Sequence, residues 1–145
     1  MKIKIEPLRE CYVDQVCSLE EEAFSMPWHR ESFLEMIYDK NACYLVALKG
    51  DKVVASAGLR NIVGDGEITN VVTKKEYQKQ GIAGLLLEQL VKEGKEMGVT
   101  AYTLEVRVSN MAAIHLYKKL GFQEEGIRKN FYERPKEDAL IMWKR

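Results

Sequence analysis

The sequence predicts a mixed α/β domain in which helices pack around one sheet, and three observations predict it. The 145 residues amount to about one domain's worth of chain. Period-two runs and runs of helical spacing take turns along the whole length. No internal repeat, linker or low-complexity tract separates them, so a single domain over 1–145 is expected.

Lys2 to Glu6 alternates polar and apolar residues and reads as a short strand with Ile3 and Ile5 inward. From Val13, apolar residues at 13, 16, 17, 19, 23 and 24 have the spacing of a helix. That helix carries the acidic run Glu20-Glu21-Glu22, expected to be a solvated face. Ser25-Met26-Pro27-Trp28 ends it, because proline disfavours helix for the residue before it. A second, short helix covers Arg30 to Tyr38, with Phe33, Leu34 and Ile37 as its buried stripe.

Ala42 to Leu48 and Lys52 to Leu59 are β-rich runs joined by Lys49-Gly50-Asp51, a hairpin signal. Ile62 to Gly66 reads as another turn and Glu67 to Thr73 as the next strand. The polar loop Lys74 to Gln80 leads through Gly81 into a helix reaching Met97, with Gly98 as its C-terminal cap. Tyr102 to Val108 alternates, with Tyr102, Leu104, Val106 and Val108 on one face and Thr103, Glu105 and Arg107 on the other. Ser109 or Asn110 caps a helix to Leu120, stopped by Gly121. Phe122 to Ile127 and Asp138 to Lys144 are the last strands.

Charge and composition exclude several classes of function. Lys plus Arg and Asp plus Glu number 22 each, so the chain has no basic excess with which to coat nucleic acid. The longest stretch free of Asp, Glu, Lys and Arg is Val108 to Tyr117, ten residues, too short to span a bilayer. The N-terminus alternates charge with isoleucine and has no apolar signal-peptide core. Cys11, Cys17 and Cys43 lack zinc or disulfide spacing and are expected to act as small apolar residues. His29 and His115 are isolated, so no metal is expected. A cytoplasmic protein without direct nucleic-acid or membrane contact is the expectation.

Two segments could carry chemistry. Gln78-Lys79-Gln80-Gly81-Ile82-Ala83-Gly84 lies between a strand and a helix start, where unsatisfied N–H groups and the helix dipole favour an anion. It is a candidate pyrophosphate cradle or, equally, a tight turn whose glycines permit close packing. In the second segment Glu105 sits mid-strand, where glutamate is a poor strand former. It is either functional or a surface carboxylate paired with Arg107. Asn110 and Tyr117 stand two turns apart on one helix face. They too have plainer readings, as an N-cap and a core-edge aromatic.

Together these segments resemble the GNAT (Gcn5-related) N-acetyltransferase superfamily. Gln78-x-x-Gly81-x-Ala83 fits its acetyl-CoA loop, with Ala83 where glycine is more usual. Asn110, Ala113, Tyr117, Gly121 and Phe122 fill its later signature. Within the superfamily the chain is similar to the RimI-type N-terminal alanine acetyltransferases of a small-subunit ribosomal protein. That likeness rests on Phe24-Ser25-Met26-Pro27-Trp28, Asn70-Val71-Val72, Leu104-Glu105-Val106-Arg107-x-Ser109-Asn110, Arg128-x-Asn130-Phe131-Tyr132 and Glu137-Asp138-Ala139 with Met142.

The resemblance implies a central mixed, mostly antiparallel sheet flanked by helices, and acetyl-CoA as co-substrate. It implies Glu105 as general base and Tyr117 as general acid, the latter also touching the cofactor. Val71, Val72 and Thr73 would bond the pantetheine arm. Lys79, Gln80, Gly81, Ile82, Ala83 and Gly84 would hold the pyrophosphate, and Asn110 would contact the cofactor. Trp28 and Tyr132 would face the acceptor, a protein N-terminus. The segment between Tyr132 and Glu137 is shorter than in typical relatives. A GNAT enzyme acting on a small amine and a non-catalytic acyl-CoA-binding module are the alternatives. Retention of both Glu105 and Tyr117 favours catalysis.

Overall fold

The computed structural model describes residues 2–145. The strands are β1 (Lys4–Pro7), β2 (Ala42–Lys49), β3 (Lys52–Ile62), β4 (Asp65–Thr73), β5 (Ala101–Arg107), β6 (Gln123–Tyr132) and β7 (Glu137–Lys144). The helices are α1 (Val13–Ala23), α2 (Arg30–Tyr38), α3 (Ile82–Glu96) and α4 (Met111–Lys119). Short 3-10 turns at Glu10–Tyr12 and Lys75–Tyr77 lead into α1 and towards α3.

One seven-stranded sheet has the order β1-β2-β3-β4-β5-β7-β6. Neighbours are antiparallel except β4 and β5, which run parallel and are joined through α3. Both faces are covered. Leu86, Leu87 and Leu90 of α3 and Ile114 and Tyr117 of α4 build one core. Val13, Val16 and Leu19 of α1 with Phe33 and Met36 of α2 build the other. This explains the unbroken apolar run in β2: Leu45 and Ala47 enter the first core, Tyr44, Val46 and Leu48 the second.

The strands outrun their predicted ends in two places. β3 and β4 extend into the segment read as a turn, leaving Val63 and Gly64 as the connection. Both have positive φ, 51° and 91°, so a tight two-residue hairpin closes where five residues were assigned to a turn. β6 continues past Ile127 to Tyr132, although almost every residue in it is exposed. An edge strand with so little burial has no hydrophobic alternation to read. Val108 falls beyond the end of β5 and is 37% exposed instead of facing the core.

The acidic run divides as well. Glu21 and Glu22 are exposed as expected, but Glu20 is completely buried, which overturns its reading as solvated. Its Oε1 accepts a hydrogen bond from Asn70 Nδ2 at 2.8 Å and its Oε2 one from the Tyr44 hydroxyl. Burial pushes the Glu20 carboxyl up to about 7, against the lowering effect of both bonds. Cys11 is exposed, contrary to its expected apolar role, while Cys17 and Cys43 are partly buried.

Candidate active site

β4 and β5 pair only at Asp65–Ala101, Gly66–Tyr102 and Glu67–Thr103. Beyond that point β4 runs on to Thr73 against β3, and β5 runs on to Arg107 against β7. The two strands therefore part, leaving backbone on each inner edge without a partner strand.

The local cause of the parting on β4 is a bulge. Between Ser56–Val72 and Gly58–Thr69 the ladder spends one more residue on β4 than on β3. Asn70 takes φ +57° there, a left-handed conformation that asparagine tolerates better than most residues. The extra residue also reverses the faces: Ile68 belongs to the first core and Val72 to the second, though two even-numbered strand positions should agree. Glu20 holds the Asn70 side chain at this point. Neither Glu20 nor Asn70 was assigned to the site from the sequence. A carboxylate so close to the apolar stripe of α1 was the available signal.

On β5 the alternation is kept. Tyr102, Leu104 and Val106 are buried in the first core, so Glu105 and Arg107 project from the opposite face. Tyr117 enters that first core from α4, 6.1 Å ring to ring from Phe122. Glu105 and Tyr117 thus lie on opposite faces of the sheet. Tyr132, at the end of β6, bridges them electrostatically. Burial and then the Glu105 charge push its phenol up to about 12, and Tyr132 in turn contributes to the rise at Tyr117. Burial is the main cause at Tyr117, whose phenol stays protonated far above neutral pH.

Glu105 does not pair with Arg107, its expected surface partner. Nη1 of Arg128 lies 3.0 Å from Oε2, while Arg107 pairs with Glu137 at 3.2 Å. The Arg128 contact lacks hydrogen-bond alignment, and Glu105 Oε2 is buried without a hydrogen-bonding partner among the described residues. Burial raises the Glu105 pKa, Arg128 lowers it and Glu67 raises it. An under-satisfied carboxylate beside an opening in the sheet is poised to take up a proton.

The loop before α3 turns through two left-handed residues, Lys79 at φ +62° and Gly81 at φ +81°. Gln78 Nε2 donates to Thr73 O and Gln80 Nε2 to Glu76 O, both at 3.2 Å, pinning the loop to the end of β4 and to the 3-10 turn that follows it. A Cβ on Gly81 would meet nothing within 4 Å, and one on Gly84 only Leu116 Cδ1 at 3.8 Å. Close packing is therefore not why these glycines are here. It is the reason at Gly94, where a Cβ would lie 2.7 Å from the Tyr102 hydroxyl. Gly81 caps α3 with no side-chain acceptor, so the N–H groups of Ile82, Ala83 and Gly84 open the helix uncapped.

Asn110 caps α4 through Oδ1, which accepts from Ala113 N at 3.2 Å, and its amide Nδ2 is left to donate elsewhere. Trp28 is packed against Phe33 and Tyr44, with centroids 5.4 and 6.2 Å away. Electrostatic coupling to Glu105 and Tyr117 ties Tyr132 to this site, whereas the ring contacts of Trp28 are with Phe33 and Tyr44. Among the described residues no cluster of His, Cys, Asp or Glu could hold a metal ion. No helix there is long and apolar enough to cross a membrane.

Comparison with known proteins agrees with this geometry. A Bacillus subtilis (strain 168) protein provisionally named [ribosomal protein bS18]-alanine N-acetyltransferase is 39% identical over 143 residues, 98% of this chain and 95% of its own. The Escherichia coli (strain K12) [ribosomal protein bS18]-alanine N-acetyltransferase is 36% identical over 126 residues, covering 86% and 84%. The crystal structure of the ribosomal-protein-S18-alanine N-acetyltransferase from Escherichia coli superposes with a TM-score of 0.88 at 32% identity, covering 99% of this chain and 93% of that one. The family model for acetyltransferases of the GNAT type matches residues 13–122, from the first residue of α1 to the end of the Asn110–Phe122 signature. The parted strands, the uncapped helix start and that signature have one explanation: the chain belongs to the acetyltransferase (GNAT) family and is an N-acetyltransferase.

Proposed function

We propose that this protein transfers the acetyl group of acetyl-CoA to the N-terminal α-amine of a protein, with alanine as the acceptor residue. A small-subunit ribosomal protein is the substrate class, which places the reaction in the cytoplasm. The observation that carries the reading is Glu105, whose half-buried carboxylate beside the parting of β4 and β5 has no directed hydrogen bond. The names of the relatives described above support the choice of acceptor.

In this reading the unpaired edge at Val71, Val72 and Thr73 bonds the pantetheine arm, and the Lys79–Gly84 turn with the start of α3 receives the pyrophosphate. The Asn110 amide donates to the cofactor. The acceptor enters on the Glu105 face, beside Tyr132 and, further out, Trp28. A peptide α-amine is roughly a tenth neutral at pH 7, whereas lysine is below a thousandth, so an α-amine needs little help to become a nucleophile. Its nitrogen attacks the thioester carbon while Glu105 takes the proton, directly or through water. A backbone N–H of Val71–Thr73 steadies the carbonyl oxygen. The carbon–sulfur bond breaks, and Tyr117, kept protonated by its burial, gives its proton to the departing thiolate.

Intact-mass analysis after incubation with acetyl-CoA tests this. The acceptors are free-N-terminus peptides beginning Ala, Ser, Met and Gly, an N-blocked lysine peptide, and spermidine. One added acetyl group on the alanine peptide, slowed in Tyr117→Phe, is the expected result. Transfer to spermidine or lysine alone would discard the N-terminal assignment.

A further inference from the structure

We infer that Arg107 is a positioning residue that builds the acceptor-side wall of the site, by fastening the turn between β6 and β7 to the strand that carries Glu105. This rests on the acceptor site proposed above. Its support is a set of contacts converging on one guanidinium. Nη1 donates to Pro135 O at 2.8 Å and meets Glu137 Oε1 at 3.2 Å, while Nη2 donates to Glu133 O at 3.2 Å. The same group lies 4.5 Å from the Tyr132 ring centroid. The turn 133–136 is thus held at two of its four carbonyls, and Tyr132 is stacked against the same cation.

Two further bonds register that turn against the rest of the site. Glu137 Oε2 accepts the Ser109 N–H at 2.8 Å, next to the Asn110 cap of α4. Ser25 Oγ donates to Glu133 O at 3.1 Å from the connection that leads to Trp28. Arg107 and Glu105 stand two apart on one strand, hence on one face and about 7 Å apart. The clamp therefore fixes Tyr132 relative to Glu105 and not merely relative to solvent. Only a planar fork can serve two carbonyls, a carboxylate and a ring at once, so lysine is no substitute here.

The experiment uses Arg107→Ala, Arg107→Lys and Glu137→Gln in the full chain, with two readouts. The first is steady-state kinetics with the alanine peptide and acetyl-CoA. The acceptor KM should rise by about tenfold in both arginine variants, with the KM for acetyl-CoA within about twofold of wild type. Glu137→Gln keeps the Ser109 acceptor and should shift the acceptor KM less. The second readout is limited trypsin digestion followed by mass analysis, which needs no activity. Cleavage after Lys136 should quicken by about tenfold in the arginine variants as the turn comes free.

An unchanged acceptor KM, an equal rise in both KM values, or full rescue by lysine would overturn the proposal. So would an unchanged rate of cleavage after Lys136. Should Arg107→Ala not fold, Arg107→Lys decides both readouts. Should the wild-type chain acetylate none of the peptides, the proposed function fails while trypsin still decides the clamp.

Discussion

Two glutamates lie near the parting of the sheet, Glu20 on α1 and Glu105 on β5, and both are pushed up in pKa by burial. Glu20 is fully enclosed, with each oxygen accepting a hydrogen bond, from Asn70 and from Tyr44. Glu105 is a quarter exposed at its side chain, with one oxygen facing a guanidinium that does not line up with it. A buried carboxylate whose acceptor sites are filled shapes the backbone around it. One whose acceptor site is left open can receive something new. The same side chain, shifted in the same direction, thus serves the framework in one place and, in the function proposed above, the chemistry in the other.

Exchanging oxygen for nitrogen at each position is the sharpest way to break this contrast. Glu105→Gln should lower kcat for peptide acetylation by about a hundredfold, the range expected when a general base is lost. Its binding of acetyl-CoA by calorimetry and its melting temperature should stay near wild type. Equal losses of folding and turnover would erase the distinction between the two residues.

At Glu20 the expected change is in stability. Its folded-state pKa is about 7 against an ordinary 4.5, so folding takes up a proton between those values. The wild-type protein should therefore lose stability as pH rises through that window, by roughly 3 kcal/mol in all at most, and lose no more from this group above it. Glu20→Gln should flatten that slope in urea melts run from pH 5 to 8. An unaltered slope would show that Glu20 is not its source.

The smallest effect sharpens the Glu105 side. Arg128 lowers the Glu105 pKa and is itself more than half exposed, so salt screens much of its influence. In Arg128→Gln the carboxyl should titrate higher, moving the acid limb of the kcat/KM profile to higher pH. High salt should move the wild-type limb the same way. A limb that stays put, or moves down, would remove Arg128 as the counter-ion.

Most of the fold was legible because it is written in local patterns. The βααβββαβαββ order, the helix over Arg30–Tyr38, the Asn110 cap and the glycine stops after α3 and α4 all follow from nearby residues. What escaped depends on partners distant in the chain. Nothing around Glu20 says that Asn70, fifty positions away, will reach its carboxylate. Arg107 and Arg128 each had a carboxylate nearby in sequence terms, and register across β7 and β6 assigned them differently. The loop motif was readable as two alternatives. The open space at Gly81, a fact about absent neighbours, decides against close packing.

Three ladder positions are all that join β4 to β5, yet each strand is laced to its outer neighbour along most of its length. Amide hydrogens along the inner edges beyond Glu67 and Thr103 are therefore expected to trade with deuterium quickly, while those facing β3 and β7 stay locked. A molecule lying between the strands would slow the fast set and leave the slow set alone. The sheet thus carries its own occupancy gauge, readable amide by amide without watching any reaction.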